Sequence, residues 1–272
     1  MKLITFINHA YIGIAHNLYL QLKRFNLHAD LIIYTPSDIA IDDLLKLNLE
    51  CEIKKYTPVL FNDYYNSNLH SDELSKCGHG NNSYSTLQFL KHDCFYQTLE
   101  KNEYVCLLDA DVLIFSNFVE NLKALMYEKY KFGHCTTSLF AFKYYLNINV
   151  CVDINSPNLY HWIGKHSMIN TGFMASYQSK QSLAIIKKYC ELFIPHIGKN
   201  SGNLDEHILT KYFSEQNINI CSVPDYIHTL SNCGYIYTPY EIKKLKCDTF
   251  HPTFVTSDKV DFIKECGYWY VE

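Results

Sequence analysis

Short apolar runs alternate with helical patterns along the first part of the chain. The run KLITFI at 2–7 is typical of a buried strand, and the runs ADLIIYT at 29–35 and ECEIKKY at 50–56 have the same character. Between the first two, apolar residues recur at helical spacing over about 15–25. This order of strand, helix and strand predicts a parallel sheet of the α/β class.

The pattern changes at 62–85, a polar stretch with weak periodicity that predicts a long loop. Helical spacing returns over about 86–100 and leads into the strand EYVCLLD at 103–109. Beyond that strand, Asn117 and Glu120 fit a capping box that opens another helix. A loop that long inside a compact domain is either mobile or functional, and we expect 62–85 to be a lid that orders over a bound ligand and keeps out water.

The second half of the chain is less regular. Strands are expected at 132–142 and 169–176, and amphipathic helices at 181–193 and 204–213. A terminal helix is expected to end at Gly267, which suits a left-handed C-cap. No internal repeat, low-complexity segment or linker interrupts the chain, so we expect one domain.

Composition narrows the class of protein. The 272 residues are 48% hydrophobic with 10 Gly and 7 Pro, which is typical of a globular chain. A net charge of −4 lacks the basic excess that nucleic-acid binding needs, and no apolar run approaches the length of a membrane span. The 11 cysteines show no zinc-site spacing and the start is too polar for a signal peptide, so we expect reduced thiols and a cytoplasmic location.

Two aspartates interrupt the apolar run YVCLLDADVLIF, from Tyr104 to Phe115. Burying unpaired carboxylates is costly, and α/β sheets bind ligands where their strands end. In extended chain Asp109 and Asp111 would share one face, where Mg²⁺ or Mn²⁺ could bind between their oxygens. The alternative is that one aspartate caps the next loop while the other is exposed.

The motif LLDADVL resembles the DxD motif of the nucleotide-diphospho-sugar glycosyltransferases of the GT-A fold. As in that family, a helix with a lysine, LQFLKHDCFYQTLEKNEYV, precedes the motif. About 60 residues later MINTGFMA resembles the N-T-G-F element, followed by NLDEHILTKYF and by the tail HPTFVTSDKVDFIKECGYWY. The motifs are individually weak, but their order extends over almost the whole chain.

The resemblance implies a Rossmann-like GT-A fold, with a mixed, mostly parallel central sheet flanked by helices. It also implies a single domain at 1–272, in which a nucleotide-binding half covers about 1–115 and an acceptor-binding half about 116–272.

The resemblance further implies that Mn²⁺ or Mg²⁺ is bound by Asp109, Asp111 and His251, with Asp109 also meeting the ribose. Lys259 would neutralise the diphosphate leaving group. The alternatives are an ordinary histidine and a solvated lysine in the first turn of a helix. The tail departs from the family pattern, since Thr253, Thr256 and Ser257 stand where Asn and Gly are usual.

Other residues are expected around the nucleotide-sugar donor by the same resemblance. Tyr11 could stack on a base, and Lys91 could reach the ribose or the sugar; otherwise Lys91 belongs to the polar face of its helix. The N-T-G-F element could instead be a plain turn between strand segments. The expected donor-binding residues are Thr5, Asn8, Tyr11, Lys91, Asp109, Ala110, Asp111, Asn170, Thr171, Gly172 and Lys259.

Asp205 and Glu206 are the acid–base candidates, because an inverting transfer needs a carboxylate that accepts the proton of the acceptor hydroxyl. We favour Asp205, since a capping box with Asn203 already explains Glu206. Relatives with the N-T-G-F element often retain configuration, and in that case Asp205 would only position the sugar.

The expected reaction is transfer of a sugar from a nucleotide-sugar, with UDP as the expected nucleotide, to a hydroxyl of a glycan, protein or small molecule. A sugar nucleotidyltransferase is less favoured, because NHAYIGIAHN after the first strand has a single Gly and no Lys or Arg. A non-catalytic protein that binds nucleotide-sugars or glycans is the other alternative, whereas a hydrolase has little support. The aromatic candidates for an acceptor surface are Tyr160, His161, Trp162 and Trp269.

Overall fold

The structure, a computed structural model, describes most but not all of the chain. Most of the expected lid, the aromatic candidates at 160–162 and Asn203 lie outside the described residues. The described residues are 1–64, 82–131, 137–144, 168–197, 204–231, 236–253 and 258–272.

Ten strands and eight α-helices are assigned within these ranges. The strands are β1 Lys2–Phe6, β2 Leu31–Thr35, β3 Glu52–Lys55, β4 Tyr104–Leu108, β5 Leu113–Ile114, β6 Leu139–Tyr144, β7 Met168–Tyr177, β8 Cys221–Ser222, β9 His228–Leu230 and β10 Thr249–His251. The helices are α1 Ile12–Lys23, α2 Asp38–Lys46, α3 Asn82–Lys101, α4 Phe118–Lys131, α5 Lys180–Phe193, α6 Leu204–Glu215, α7 Pro239–Ile242 and α8 Lys259–Cys266.

Seven strands form the central sheet in the order β3-β2-β1-β4-β7-β6-β8. Strand β7 runs antiparallel to both of its neighbours, whereas the other neighbouring pairs are parallel. A smaller sheet has the order β5-β10-β9. The prediction of a mixed, mostly parallel sheet flanked by helices is therefore confirmed.

Successive residues of the central strands supply two separate apolar cores, because side chains alternate between the faces of a sheet. In β1, Leu3 packs with helices α1, α2 and α4, and Ile4 packs with α3, α5 and α6. A third, smaller core beneath the three-stranded sheet is built around Phe250 and Phe262. The result is a layered arrangement of helices, sheet and helices, in which the strand ends remain accessible.

Most of the predicted elements are present, with some shifted bounds. Helix α3 begins at Asn82, inside the stretch predicted to be a loop, and the terminal helix ends at Gly267 with the left-handed φ of 78° that its C-cap requires. Helix α2 was not predicted from the sequence. That helix begins after Ser37, whose side chain accepts a hydrogen bond from the backbone of Ala40, and its only buried residues are Ala40 and Leu44, too few to form a recognisable stripe.

The cysteines depart from one expectation. Six described cysteines are free thiols, but Cys221 is disulfide-bonded, so the prediction of uniformly reduced thiols is wrong there. Among the helices that the structure describes, none combines the length and the apolar character needed to cross a bilayer.

Helix α3 anchors the chain that follows β3 through one buried carboxylate. Asp93 Oδ2 accepts hydrogen bonds from the Tyr56 hydroxyl at 2.8 Å and the Val59 backbone at 2.9 Å, and Leu60 N lies 3.3 Å from both carboxylate oxygens. Gln97, one turn along the helix, adds a bond of 3.1 Å to Asp93 Oδ1. Asp93 thus supplies acceptors for backbone donors that the sheet does not pair.

We expect Asp93→Asn to lower the free energy of unfolding by about 3 kcal/mol, because the new amide group would face donors instead of accepting from them. Urea unfolding followed by circular dichroism measures the change. Asp42→Asn, on the exposed side of α2, is the matched control and should have little effect. Equal stability of the two variants would contradict the anchoring role.

Candidate active site

The two aspartates converge through a tight turn. Strand β4 ends at Leu108, and a hydrogen bond of 3.1 Å from Val112 N to Asp109 O closes a turn around Ala110. From the sequence, Asp109 and Asp111 were expected to share a face of extended chain. The expectation that they converge holds, but the physical reason is the turn.

His251 reaches the same place from the C-terminal part of the chain. Strand β10 pairs antiparallel with β5, with Phe250 opposite Leu113, so the next residue lies beside the aspartate turn. His251 Nε2 is 3.2 Å from Asp111 Oδ1 and 3.8 Å from Asp109 Oδ2. Residues about 140 positions apart are therefore neighbours because of one short strand pairing.

These three side chains form a group that could hold a cation, by both its geometry and its chemistry. One ligand atom from each of Asp109, Asp111 and His251 lies within 4.8 Å of the other two. Two carboxylates and an imidazole are donors that Mn²⁺ accepts. His251 Nδ1 is buried and has no hydrogen-bond partner among the described residues, so the ring is held mainly by packing and by the aspartates.

Gly172 leaves the space that this group occupies. A Cβ added there would lie 2.3 Å from His251 Cε1, 2.6 Å from His251 Nδ1 and 2.8 Å from Asp109 Oδ2. The Gly172 carbonyl also accepts a 2.8 Å hydrogen bond from Asp109 N. The glycine of the N-T-G-F element thus lets strand β7 pack directly against the aspartates and the histidine.

Lys259, the first residue of α8, makes an ion pair with Asp111. Burial by itself would raise the pKa of Asp111, but the neighbouring Lys259 and His251 outweigh it and hold that pKa well below its usual range. Asp111 is therefore an ionised carboxylate at neutral pH. The alternative of a solvated, unengaged lysine does not apply to Lys259.

Lys91 lies between two further carboxylates. Its Nζ is 3.0 Å from Asp109 Oδ1 and 3.6 Å from Asp205 Oδ2. Burial by itself would lower the pKa of Lys91, but Asp109 and Asp205 together raise it. Lys91 is consequently a buried cation, and the alternative that placed it on the polar face of its helix is wrong.

Asp205 and Glu206 are adjacent in sequence but occupy different environments. Asp205 is 0% exposed, and its Oδ2 accepts a 2.7 Å hydrogen bond from the Thr171 hydroxyl. Glu206 Oε1 accepts hydrogen bonds from Asn170 Nδ2 at 3.0 Å and from Thr171 N at 3.2 Å. Unlike Asp205, Glu206 lines a cavity at the strand ends. The N-T-G-F element therefore binds both acidic side chains.

A cavity of about 290 Å³ opens over the aspartates at the carboxyl ends of β1 and β4. This volume is just below the range of roughly 300–1,000 Å³ that is usual for small-molecule sites. Ten of the predicted site residues line it: Asn8, Tyr11, Lys91, Asp109, Ala110, Asp111, Thr171, Glu206, His251 and Lys259.

The other four predicted site residues lie behind the cavity wall: Thr5, Asn170, Gly172 and Asp205 are buried or packed beneath it without lining it. Five lining residues were not among the predicted site residues, namely Phe6, Ile7, Leu87, Gln88 and Thr253. Leu87 and Gln88 stand four and three positions before Lys91 in α3, so the helical period could have identified them.

Two of the aromatic candidates, Tyr11 and Trp269, lie within the described residues. Tyr11 lines the cavity, and burial raises the pKa of its hydroxyl. Trp269 packs against two of the apolar cores, with Lys264 Nζ 5.7 Å from the centre of its ring. These contacts account for Trp269 as a packing residue, with no need for a bound acceptor substrate.

We expect Gly172→Ala to weaken Mn²⁺ binding by about 10–100-fold, because the added methyl group would displace His251 and Asp109. Titration of Mn²⁺ followed by electron paramagnetic resonance measures the affinity. Gly13→Ala is the matched control, since a Cβ there meets only Trp269 Cη2 at 3.8 Å, an ordinary contact. Wild-type affinity in Gly172→Ala would show that the three side chains do not bind the ion as a group.

We also expect the stability difference between wild type and Asp205→Asn to depend on pH. Burial would raise the pKa of Asp205, but Lys91, His92 and Thr171 lower it below the ordinary value. The ionised carboxylate therefore stabilises the fold above its unfolded pKa, near ~3.9, and this contribution is lost as pH falls through the lower folded pKa.

Urea unfolding should show a difference of about 3 kcal/mol at neutral pH that shrinks below about pH 4. Asp261→Asn, whose side chain is 66% exposed, is the control. An undiminished difference at about pH 3 would contradict the ionised state of Asp205.

No known protein-family model matches this chain, and no curated protein matches it by sequence. Comparison with solved structures does find similar folds. The galactosyltransferase LgtC, in complex with donor and acceptor sugar analogues, is 11% identical with a TM-score of 0.55, and the match covers 98% of this chain and 95% of that chain.

Two other similar structures are also glycosyltransferases. The glycosyltransferase GlyE of Streptococcus pneumoniae TIGR4 is 13% identical with a TM-score of 0.54, covering 100% of this chain and 60% of that chain. Mouse xyloside xylosyltransferase 1 is 13% identical with a TM-score of 0.50, and the match covers 93% of this chain and 97% of that chain. The chain therefore has the GT-A glycosyltransferase fold, with an Asp-x-Asp pair and a histidine brought together at the carboxyl edge of its sheet.

Proposed function

We propose that this chain is a metal-dependent glycosyltransferase that transfers a sugar from a UDP-sugar to an acceptor hydroxyl. The anomeric carbon–phosphate oxygen bond breaks, and a bond from that carbon to the acceptor oxygen forms. The nucleoside diphosphate leaves, and the acceptor hydroxyl loses its proton to a base.

One observation carries this proposal. Asp109, Asp111 and His251 form a compact ligand group on the wall of a cavity at the strand ends of a GT-A fold. Two buried or half-buried lysines, Lys91 and Lys259, line the same cavity. Oxygen-rich cation sites beside lysines suit an anionic diphosphate better than a neutral ligand.

Asp109, Asp111 and His251 would hold Mn²⁺ or Mg²⁺ together with the diphosphate. Such an ion, when bound, supplies electrostatic stabilisation of the negative charge that develops on the leaving group. The remaining roles belong to this chain's own residues. Lys259, which pairs with Asp111 and lines the cavity, would present its ammonium group to the diphosphate.

The two acidic residues of α6 take different roles in the proposal. Glu206 lines the cavity, so its carboxylate is the one that meets the reacting sugar or the acceptor hydroxyl. Asp205 is fully buried and ion-paired with Lys91, so it positions Lys91 and Thr171. This assignment reverses the preference for Asp205 as the base that the sequence suggested.

The nucleoside is proposed to bind where the first strand ends. Asn8 and Tyr11 line the cavity together with Phe6 and Ile7, and they offer an amide and an aromatic ring beside apolar surface. Ala110 also lines the cavity, and its small side chain leaves room for the phosphates to approach the backbone there. In this proposal the whole chain acts as one domain, with the nucleotide bound by about 1–115 and the acceptor by about 116–272.

Thermal unfolding with UDP, GDP, CMP and their sugars, with and without Mn²⁺, tests the proposal. A ligand at ~100 times its dissociation constant should add about 2.7 kcal/mol to the stability of the folded state. We expect UDP or a UDP-sugar to stabilise the protein only with the metal. Asp111→Asn should abolish this gain, because a metal ligand is lost, whereas the surface variant Asp261→Asn should keep it.

Release of UDP from the stabilising UDP-sugar then separates an enzyme from a binding protein. Turnover with an acceptor panel supports the transferase, and metal-dependent binding without turnover supports a nucleotide-sugar-binding protein. If no nucleotide shifts the melting temperature, the proposed donor site is wrong.

A further inference from the structure

A buried histidine next to Lys91 contacts Asp205 and has no role in the proposed reaction. His92 is 0% exposed, and its Nε2 lies 3.3 Å from Asp205 Oδ2. On the other side of the ring, Nδ1 lies 3.4 Å from the hydroxyl of Tyr189 in α5. His92 thus connects α5 to the acidic residue at the start of α6.

The chemistry of the partners determines the direction of these hydrogen bonds. An ionised carboxylate only accepts, so Nε2 must carry the proton that bonds to Asp205. Burial lowers the pKa of His92, so the ring is neutral and Nδ1 is an acceptor. Tyr189 therefore donates to His92, which donates to Asp205.

Asp205 Oδ2 accepts hydrogen bonds from His92 and from the Thr171 hydroxyl, and it also lies 3.6 Å from the Lys91 ammonium group as an ion pair. Lys91 is also the closest cation to Asp109, whose side chain is 33% exposed. Water can solvate Asp109 but cannot reach Asp205, which is 0% exposed. If Asp205 lost a hydrogen-bond donor, the Lys91 ammonium group would move towards this fully buried carboxylate and away from Asp109.

We propose that His92 is a positioning residue that keeps the Lys91 ammonium group on Asp109 at the donor cavity. By donating to Asp205, it limits the pull of that carboxylate on Lys91. Resting on the proposed function, the inference assigns His92 a specific part in donor binding: it acts through Asp205 and Lys91 without touching the donor.

The aromatic contacts of His92 offer the competing explanation that its ring only fills space. Its centroid lies 5.4 Å from that of Tyr189 and 5.2 Å from that of Phe193. His92→Phe keeps a ring for this packing and removes the donor. His92→Gln removes the ring and places an amide N–H near the position of Nε2, so the two variants separate packing from hydrogen bonding.

The test measures binding of UDP with Mn²⁺ by calorimetry. We expect His92→Phe to weaken binding by about 10–100-fold and His92→Gln to restore most of the affinity. In a Lys91→Met background, His92→Phe should have almost no further effect, because the residue it positions is gone. In a Lys259→Met background, His92→Phe should still cause its full loss of UDP affinity, because Lys259 pairs with Asp111 and not with Asp205 or Asp109.

A second measurement needs no bound nucleotide. Nitrogen-15 NMR should find the proton of His92 on Nε2, and the signal of the Lys91 ammonium group should shift in His92→Phe and return in His92→Gln. The inference is overturned if the proton is on Nδ1, if the Lys91 signal is unchanged in His92→Phe, or if the loss of binding is equal in both lysine backgrounds. If the wild type binds no nucleotide, the proposed function fails, while the NMR result still decides the role of His92.

Discussion

Carboxylates that meet at the edge of an apolar sheet must each have a cation or hydrogen-bond donors within reach, because an unpaired buried charge would cost several kcal/mol. Asp205, Asp109 and Asp111 meet this requirement as a chain of alternating charge. Lys91 lies between the first two, and Lys259 pairs with the third. The rest of the site follows from this arrangement, since the elements that supply the lysines must pack beside those that supply the acids.

Helix α3 shows how one element meets several of these demands. Lys91, His92 and Asp93 are consecutive, so their side chains point in directions about 100° apart. Lys91 faces the cavity, His92 reaches Asp205, and Asp93 binds the chain after β3. The helix therefore joins the cavity to the polar groups behind it and to the chain that follows β3.

Close backbone approach is the second condition on the site. Strand β7 pairs with β4 up to Phe173 opposite Leu108, and the Gly172 carbonyl then accepts from Asp109 N. A side chain at this position would occupy the volume of His251 and Asp109. The same strand carries Asn170 and Thr171, which bind Glu206 and Asp205, so β7 aligns the cation-binding group with the acidic start of α6.

Local sequence patterns determined the strands β1 to β4, the helix before the aspartates and the order of the chemical motifs, because alternation and helical spacing depend on residues close together in the chain. The pair Asp109 and Asp111 was recognisable for the same reason. Only the tertiary structure decided that Glu206 faces the cavity while Asp205 is buried, that Gly172 lies against His251, and that His92 contacts Asp205. Thr171 and Asp205 are 34 positions apart in the chain, and His92 and Asp205 are 113 positions apart. Such contacts depend on how whole elements pack, which periodicity along the chain does not encode.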